Sequence, residues 1–127
     1  MPDYKFGEIE KRFADLIWDN EPINSGELVK IAEKELTWKK STTYTILRRL
    51  CERGIFQNND SIVSSQISKE EFMARQSEQF VEDTFDGSLP KFLAAFSRRK
   101  KLSDKEIKEV LNIILDEMQK DGDEEWK

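Results

Sequence analysis

Histidine is absent from the 127 residues, and cysteine occurs once, as Cys51. Without histidine the commonest general base is missing, and the Asp, Glu and Lys residues show no motif-like spacing that would replace it, so the chain does not read as an enzyme. A single thiol closes no intrachain disulfide, and the Cys/His sets that hold zinc have no members here. Neither a metal nor a cofactor is expected, and a reducing cytoplasm is the expected compartment. No apolar run approaches the roughly 20 residues of a membrane span, and positions 1–6 carry no signal-peptide core. A surplus of positive charge is also missing. Lys and Arg total 21 against 26 Asp and Glu, a formal net charge of −5, so any cationic surface must be local. The length fits one soluble unit or two very small ones.

Local charge is present. Within residues 38–53, Lys39, Lys40, Arg48, Arg49 and Arg53 meet a single acid, Glu52. A second run, Arg98-Arg99-Lys100-Lys101, separates two apolar-periodic segments and reads as an exposed connection.

Hydrophobic spacing divides the chain near residue 67. Ile9, Phe13, Leu16 and Ile17 recur at intervals of three and four, the signature of one helical face, and that helix should end near Asn20, before Pro22. Asn24 can accept from the free amides of a second helix, with Glu27 as capping-box partner and Leu28, Ile31, Ala32 and Leu36 as its buried face. A third pattern through Tyr44, Leu47, Leu50 and Cys51 stops at Gly54, where glycine tolerates a left-handed backbone. Thr42, Thr43 and Thr45 are poor helix formers, so this helix needs tertiary packing or a ligand. Residues 55–57 and 61–67 are strand-compatible and flank the turn formers Asn58-Asn59-Asp60, which predicts a hairpin.

The remainder is helical. Ser68-Lys69-Glu70-Glu71 is a capping box before Phe72, Met73, Gln76, Phe80 and Val81, in a helix ending near Gly87. Residues 89–96 form a short apolar segment with Pro90 near a first-turn position. A further box, Ser103-Asp104-Lys105-Glu106, opens a last helix with Ile107, Val110, Leu111, Ile114, Leu115 and Met118 on one side. The predicted architecture is mostly α. Residues 1–67 are expected to form a winged helix-turn-helix, three helices and a small β-hairpin wing, and residues 68–127 a helical dimerisation region.

Three helices and a hairpin with a cationic third helix suit duplex DNA. The major groove is about 12 Å wide and admits one helix whose short polar side chains meet base edges while flanking cations meet phosphates. Lys39, Lys40, Ser41, Thr42, Tyr44, Thr45, Arg48 and Arg49 supply that mixture on a recognition helix of about residues 41–53. Ser41, Thr45 and Arg48 share one stripe, as do Thr42, Thr45 and Arg49, leaving Ile46, Leu47 and Leu50 for the core. The competing view is that such a stripe is only a solvated face, with Thr42 capping its own helix and Arg49 paired to Glu52. Cys51, beside Leu50, reads as a small packed hydrophobe rather than a redox sensor.

Trp18, then Trp38-Lys39-Lys40-Ser41-Thr42-Thr43-Tyr44-Thr45-Ile46-Leu47-Arg48-Arg49-Leu50 and Gly54, resemble the BlaI/MecI/CopY family of penicillinase repressors, whose recognition segment follows Trp-x-x-x-Thr-x-x-Thr-x-x-x-Arg-Leu. The segment from Leu102-Ser103-Asp104-Lys105-Glu106-Ile107 onward resembles that family's C-terminal dimerisation helix. The resemblance implies a winged-helix transcriptional repressor that binds operator dyads as a homodimer and controls antibiotic-resistance genes. It carries Thr42, Thr45 and Arg49 over as DNA contacts, with Lys39, Ser41 and Tyr44 at variable positions that set which operator is read. It also implies a membrane sensor-protease partner, whose Asn-Phe cleavage site corresponds to Ala95-Phe96, with the aromatic kept and the asparagine lost. Trp18, Trp38 and Leu50 are expected in the core. The wing, residues 56–61, has no Lys or Arg, and the paired C-terminal cysteines of copper-responsive members are absent.

Phe72, Phe80, Leu93, Phe96, Ile107, Val110, Leu111, Ile114 and Leu115 exceed what the C-terminal helices alone could bury, so they are expected to dimerise the chain. The reading from another class is a protein-binding adaptor that keeps the scaffold and grips a partner through this apolar surface. The net negative charge and uncharged wing favour it.

Overall fold

The computed structural model describes residues 4–125, with side chains placed through Lys120. Its elements run α1 (Glu8–Asn20), β1 (Ile23–Asn24), α2 (Ser25–Leu36), α3 (Lys40–Glu52), β2 (Phe56–Asn59), β3 (Ile62–Ser65), α4 (Lys69–Phe85), α5 (Leu89–Arg99) and α6 (Asp104–Glu125). The first six make a winged helix, and helices make up the rest. β1 is not legible in the sequence, because two residues are too few to show a period. It pairs antiparallel with β3, which pairs with β2, giving a three-stranded sheet in the order β1-β3-β2. No helix among the described residues is long and apolar enough to cross a membrane.

The chain divides into two compact units, Met1–Thr84 and Phe85–Lys127. The division falls after the expected 67/68 boundary because α4 packs with the winged helix. Phe72 in its first turn is only 3% exposed and lies among the rings of Phe6, Trp18 and Tyr4. Gln79 Oε1 accepts from the Tyr4 backbone N–H at 3.0 Å, and Gln76 Nε2 donates to the Tyr4 carbonyl at 3.0 Å. Lys69 Nζ reaches Asp15 of α1 at 3.0 Å.

The core of the first unit joins Phe13, Ala14 and Ile17 of α1 to Leu28, Ala32 and Leu36 of α2 and to Leu47 and Leu50 of α3, with Ile55, Phe56, Val63 and Phe72 completing it. The three-four spacing on each helix therefore meets one shared centre. Trp18 and Trp38 are half-buried at its edge. Trp18 packs on Phe56 with the rings tilted and donates its indole N–H to the Ile67 carbonyl at 3.2 Å; Trp38 packs on Phe13.

The caps follow the sequence, with one partner exchanged. Asn24 Oδ1 accepts from the Gly26 N–H at 2.8 Å, while the Glu27 carboxylate turns to Lys30 at 3.3 Å. Ser103 Oγ accepts from the Glu106 N–H at 3.1 Å, and Glu106 accepts back from the Ser103 N–H at 3.4 Å, a complete capping box. Ser88 Oγ caps α5 through the Lys91 N–H, with Pro90 in the first turn.

Gly54 ends α3. At φ +79° its N–H bonds the Cys51 carbonyl and the Ile55 N–H bonds the Leu50 carbonyl, which swings buried Ile55 into the core to begin the wing. A side chain at that φ is strained, so Gly54→Ala should lower stability by about 1–2 kcal/mol. Urea unfolding checks this, and an unchanged midpoint would mean the turn relaxes freely.

Candidate nucleic-acid interface

α3 begins at Lys40, one residue before the expected start, with Lys39 at its N-cap position making no side-chain cap. Its two sides differ sharply. Thr43 (0% exposed), Leu47 (2%) and Leu50 (0%) face the core. Lys39, Lys40, Ser41, Thr42, Thr45, Arg48 and Arg49 are all exposed. Thr43 resolves the helix-propensity problem: it is sealed in the core, and its Oγ1 donates to the Lys39 carbonyl at 3.3 Å, so packing supports a β-branched run.

Neither local pairing considered for this face is formed. Thr42 makes no capping bond, and among the described residues Lys39, Lys40, Arg48 and Arg49 form no ion pair. Four cations therefore stand unpaired on this exposed side among the described residues. Arg53, the fifth cation of the island, belongs to the fold. Its guanidinium reaches Glu10 at 3.4 Å and the Lys5 carbonyl at 3.0 Å, and lies 5.0 Å from the centre of the Phe6 ring.

Tyr44 differs from its neighbours. It is half-buried, and its hydroxyl shares a 3.1 Å hydrogen bond with Ser25 Oγ at the start of α2. Nothing in the local sequence marks Ser25, since its partners come from distant segments.

The wing turns through Asp60 and Ser61, both at positive φ (51° and 69°), the two-residue turn whose twist matches antiparallel strands. Its tip is exposed and carries no cation. A groove of about 300 Å³ separates part of α3 from β2, lined by Tyr44, Leu47, Arg48, Cys51 and Asn58. Burial pushes the Cys51 thiol up, and the neighbouring Glu52 carboxylate adds to this. A thiol held neutral is a poor nucleophile, in keeping with a packing role.

In the second unit, Phe92 of α5 packs on Phe85 and Phe96, and Leu93 is half-buried. The α6 stripe is open to solvent in the single chain: Leu111 is 51% exposed and Leu115 57%, with Ile107 and Ile114 exposed and Val110 half-buried. Ile113 and Met118 are exposed apolar residues beside it. Phe80, on α4, is also exposed, whereas Phe72 is sealed in the core of the first unit and presents no surface to a partner. Ala95 and Phe96 lie within α5, in helical backbone.

Most of the chain matches one family model. Residues 6–116 fit the penicillinase repressor family. The chain is 25% identical over 114 residues to the penicillinase repressor of Bacillus licheniformis, covering 87% of this chain and 89% of that protein. It is 22% identical over 115 residues to the methicillin resistance regulatory protein MecI of Staphylococcus aureus (87% and 94%). It is 23% identical over 106 residues to the penicillinase repressor of Staphylococcus aureus (80% and 84%). These relatives are named as regulators, not as enzymes. With the winged helix, the exposed face of α3 and a match running from the first core segment into α6, the chain belongs to the penicillinase repressor family.

Proposed function

We propose that this protein is a sequence-specific DNA-binding repressor that acts as a homodimer on a palindromic operator, with α3 in the major groove. The observation that carries this is the division of α3 into a sealed apolar side and an exposed side of unpaired cations and short hydroxyls. Thr42, Thr45 and Arg49 are the base-edge candidates, and Lys39, Lys40, Ser41 and Arg48 flank them. The open α6 stripe supports pairing through Ile107, Val110, Leu111, Ile114 and Leu115 with Leu93, Phe96 and Phe80. A two-fold dimer sets two recognition helices about 34 Å apart, one turn of DNA. The relatives' names point to antibiotic-resistance genes as the class regulated. The proteolytic branch, a membrane sensor-protease acting at Ala95-Phe96, requires α5 to open locally first, because that bond is helical.

Titration against the DNA upstream of the protein's own coding region, at stepped salt, tests this. Affinity should fall linearly in log–log form, with a slope of about −0.9 for each phosphate neutralised. Arg49→Ala should weaken that complex about 10- to 100-fold with unfolding unchanged, since its guanidinium is exposed and takes no part in the core. Unchanged affinity would remove Arg49 from the interface. A complex insensitive to salt, or none at all, would favour the adaptor reading.

A further inference from the structure

A reading head and a wing recognise DNA together only if the angle between them is held. In this chain the packing along part of that junction is open: the groove between α3 and β2 leaves about 300 Å³ unfilled beside Tyr44 and Asn58. Two hydrogen bonds tie α3 to the wing turn through one residue. Ser25 is 5% exposed. Its backbone N–H donates to the carbonyl of Ser61 in the wing turn at 2.8 Å, and its Oγ shares a 3.1 Å hydrogen bond with the Tyr44 hydroxyl in the first half of α3.

We propose that Ser25 is a positioning residue that fixes the recognition helix relative to the wing, and that Tyr44 serves this link rather than reading bases. The functional consequence rests on the DNA-binding reading given above. Ser25 is well suited to the task. It follows the Asn24 cap directly, so its backbone is set by β1 pairing with β3 on one side and by the first turn of α2 on the other. Asp60 and Ser61 make the tight turn at positive φ, and pairing of Ile62 with both Asn24 and Asn59 holds the peptide that carries the Ser61 carbonyl. Only the side-chain half of the link is free to vary with sequence. Hydroxyls at both 25 and 44 complete it, and a phenylalanine at 44 would keep the ring while breaking it.

Tyr44→Phe, Ser25→Ala and the double variant test the proposal in the full chain. Each single variant should lower affinity for the specific duplex about fivefold, the worth of one neutral hydrogen bond, and the double variant no further, because both remove the same bond. Affinity for an unrelated duplex and the salt slope should not change, since phosphate contacts remain. Backbone amide resonances of Ser61 and Ile62 should shift in Tyr44→Phe, an effect that loss of a base contact would not produce. The proposal is overturned if those wing amides stay in place, if the two losses add, or if Tyr44→Phe weakens binding while Ser25→Ala does not. Coincident wing shifts in a chain that binds no duplex would uphold the link and reject the DNA-binding reading instead.

Discussion

Leu111→Asp should give a folded monomer that binds operator DNA about 100-fold more weakly than the parent chain. The first half follows from α6. Leu111 is 51% exposed in the single chain and is not among the buried core residues, so an aspartate there is well hydrated in the monomer. In a dimer sealed by the α6 stripe the same carboxylate would be buried without a partner, a penalty of about 3–5 kcal/mol. The second half follows from avidity. Two recognition helices joined in one particle make the second half-site encounter intramolecular, typically worth 10²- to 10⁴-fold, and a monomer forfeits it. Sedimentation and DNA titration on the same sample check both halves. A variant that still sediments as a dimer would place the interface elsewhere, with Phe80 of α4 or Ile113 and Met118 of α6 as the next surfaces to alter.

Much of this architecture can be read from the sequence, because its signals are local. Spacing of three and four marks α1, α2, α3 and α6; Asn24, Ser68 and Ser103 announce helix starts; Gly54 announces a stop. The exposed side of α3 is equally legible, since helical geometry alone opposes Thr42, Thr45 and Arg49 to Leu47 and Leu50. What the sequence conceals depends on partners far along the chain. Arg53 looks like one more cation of the island until Glu10, Lys5 and Phe6 claim it across more than forty residues. Tyr44 looks like one more residue of the exposed side until the fold half-buries it and sets its hydroxyl 3.1 Å from Ser25 Oγ. Thr43 and Thr42 are the same residue type in adjacent positions, and it is the spacing of Thr43 from Leu47 and Leu50 that sets it on the sealed side. β1 has no period to show, and its existence follows from β3 presenting an edge beside it.

Phe72 separates core from interface most cleanly, since its periodic position on α4 allows either. The structure places it 3% exposed, with ring centres of Phe6, Trp18 and Tyr4 at 4.5, 5.6 and 5.8 Å. Removing a buried ring loses its transfer free energy and leaves a cavity that rigid aromatic neighbours cannot close. Phe72→Ala should therefore destabilise the first unit by about 3–5 kcal/mol. That is a large part of the 5–15 kcal/mol available to a whole domain, and for one of this size each kcal/mol lowers the melting temperature by about 4–8 °C. The midpoint should thus fall by more than about 12 °C, with the Trp18 fluorescence environment lost in the same transition. Because the defect lies inside one chain, the shift should not depend on protein concentration, and below the transition the variant should keep the parent's sedimenting mass. A small shift that grows on dilution, together with a smaller particle, would show that the ring is shared between two copies and that the first turn of α4 belongs to the interface.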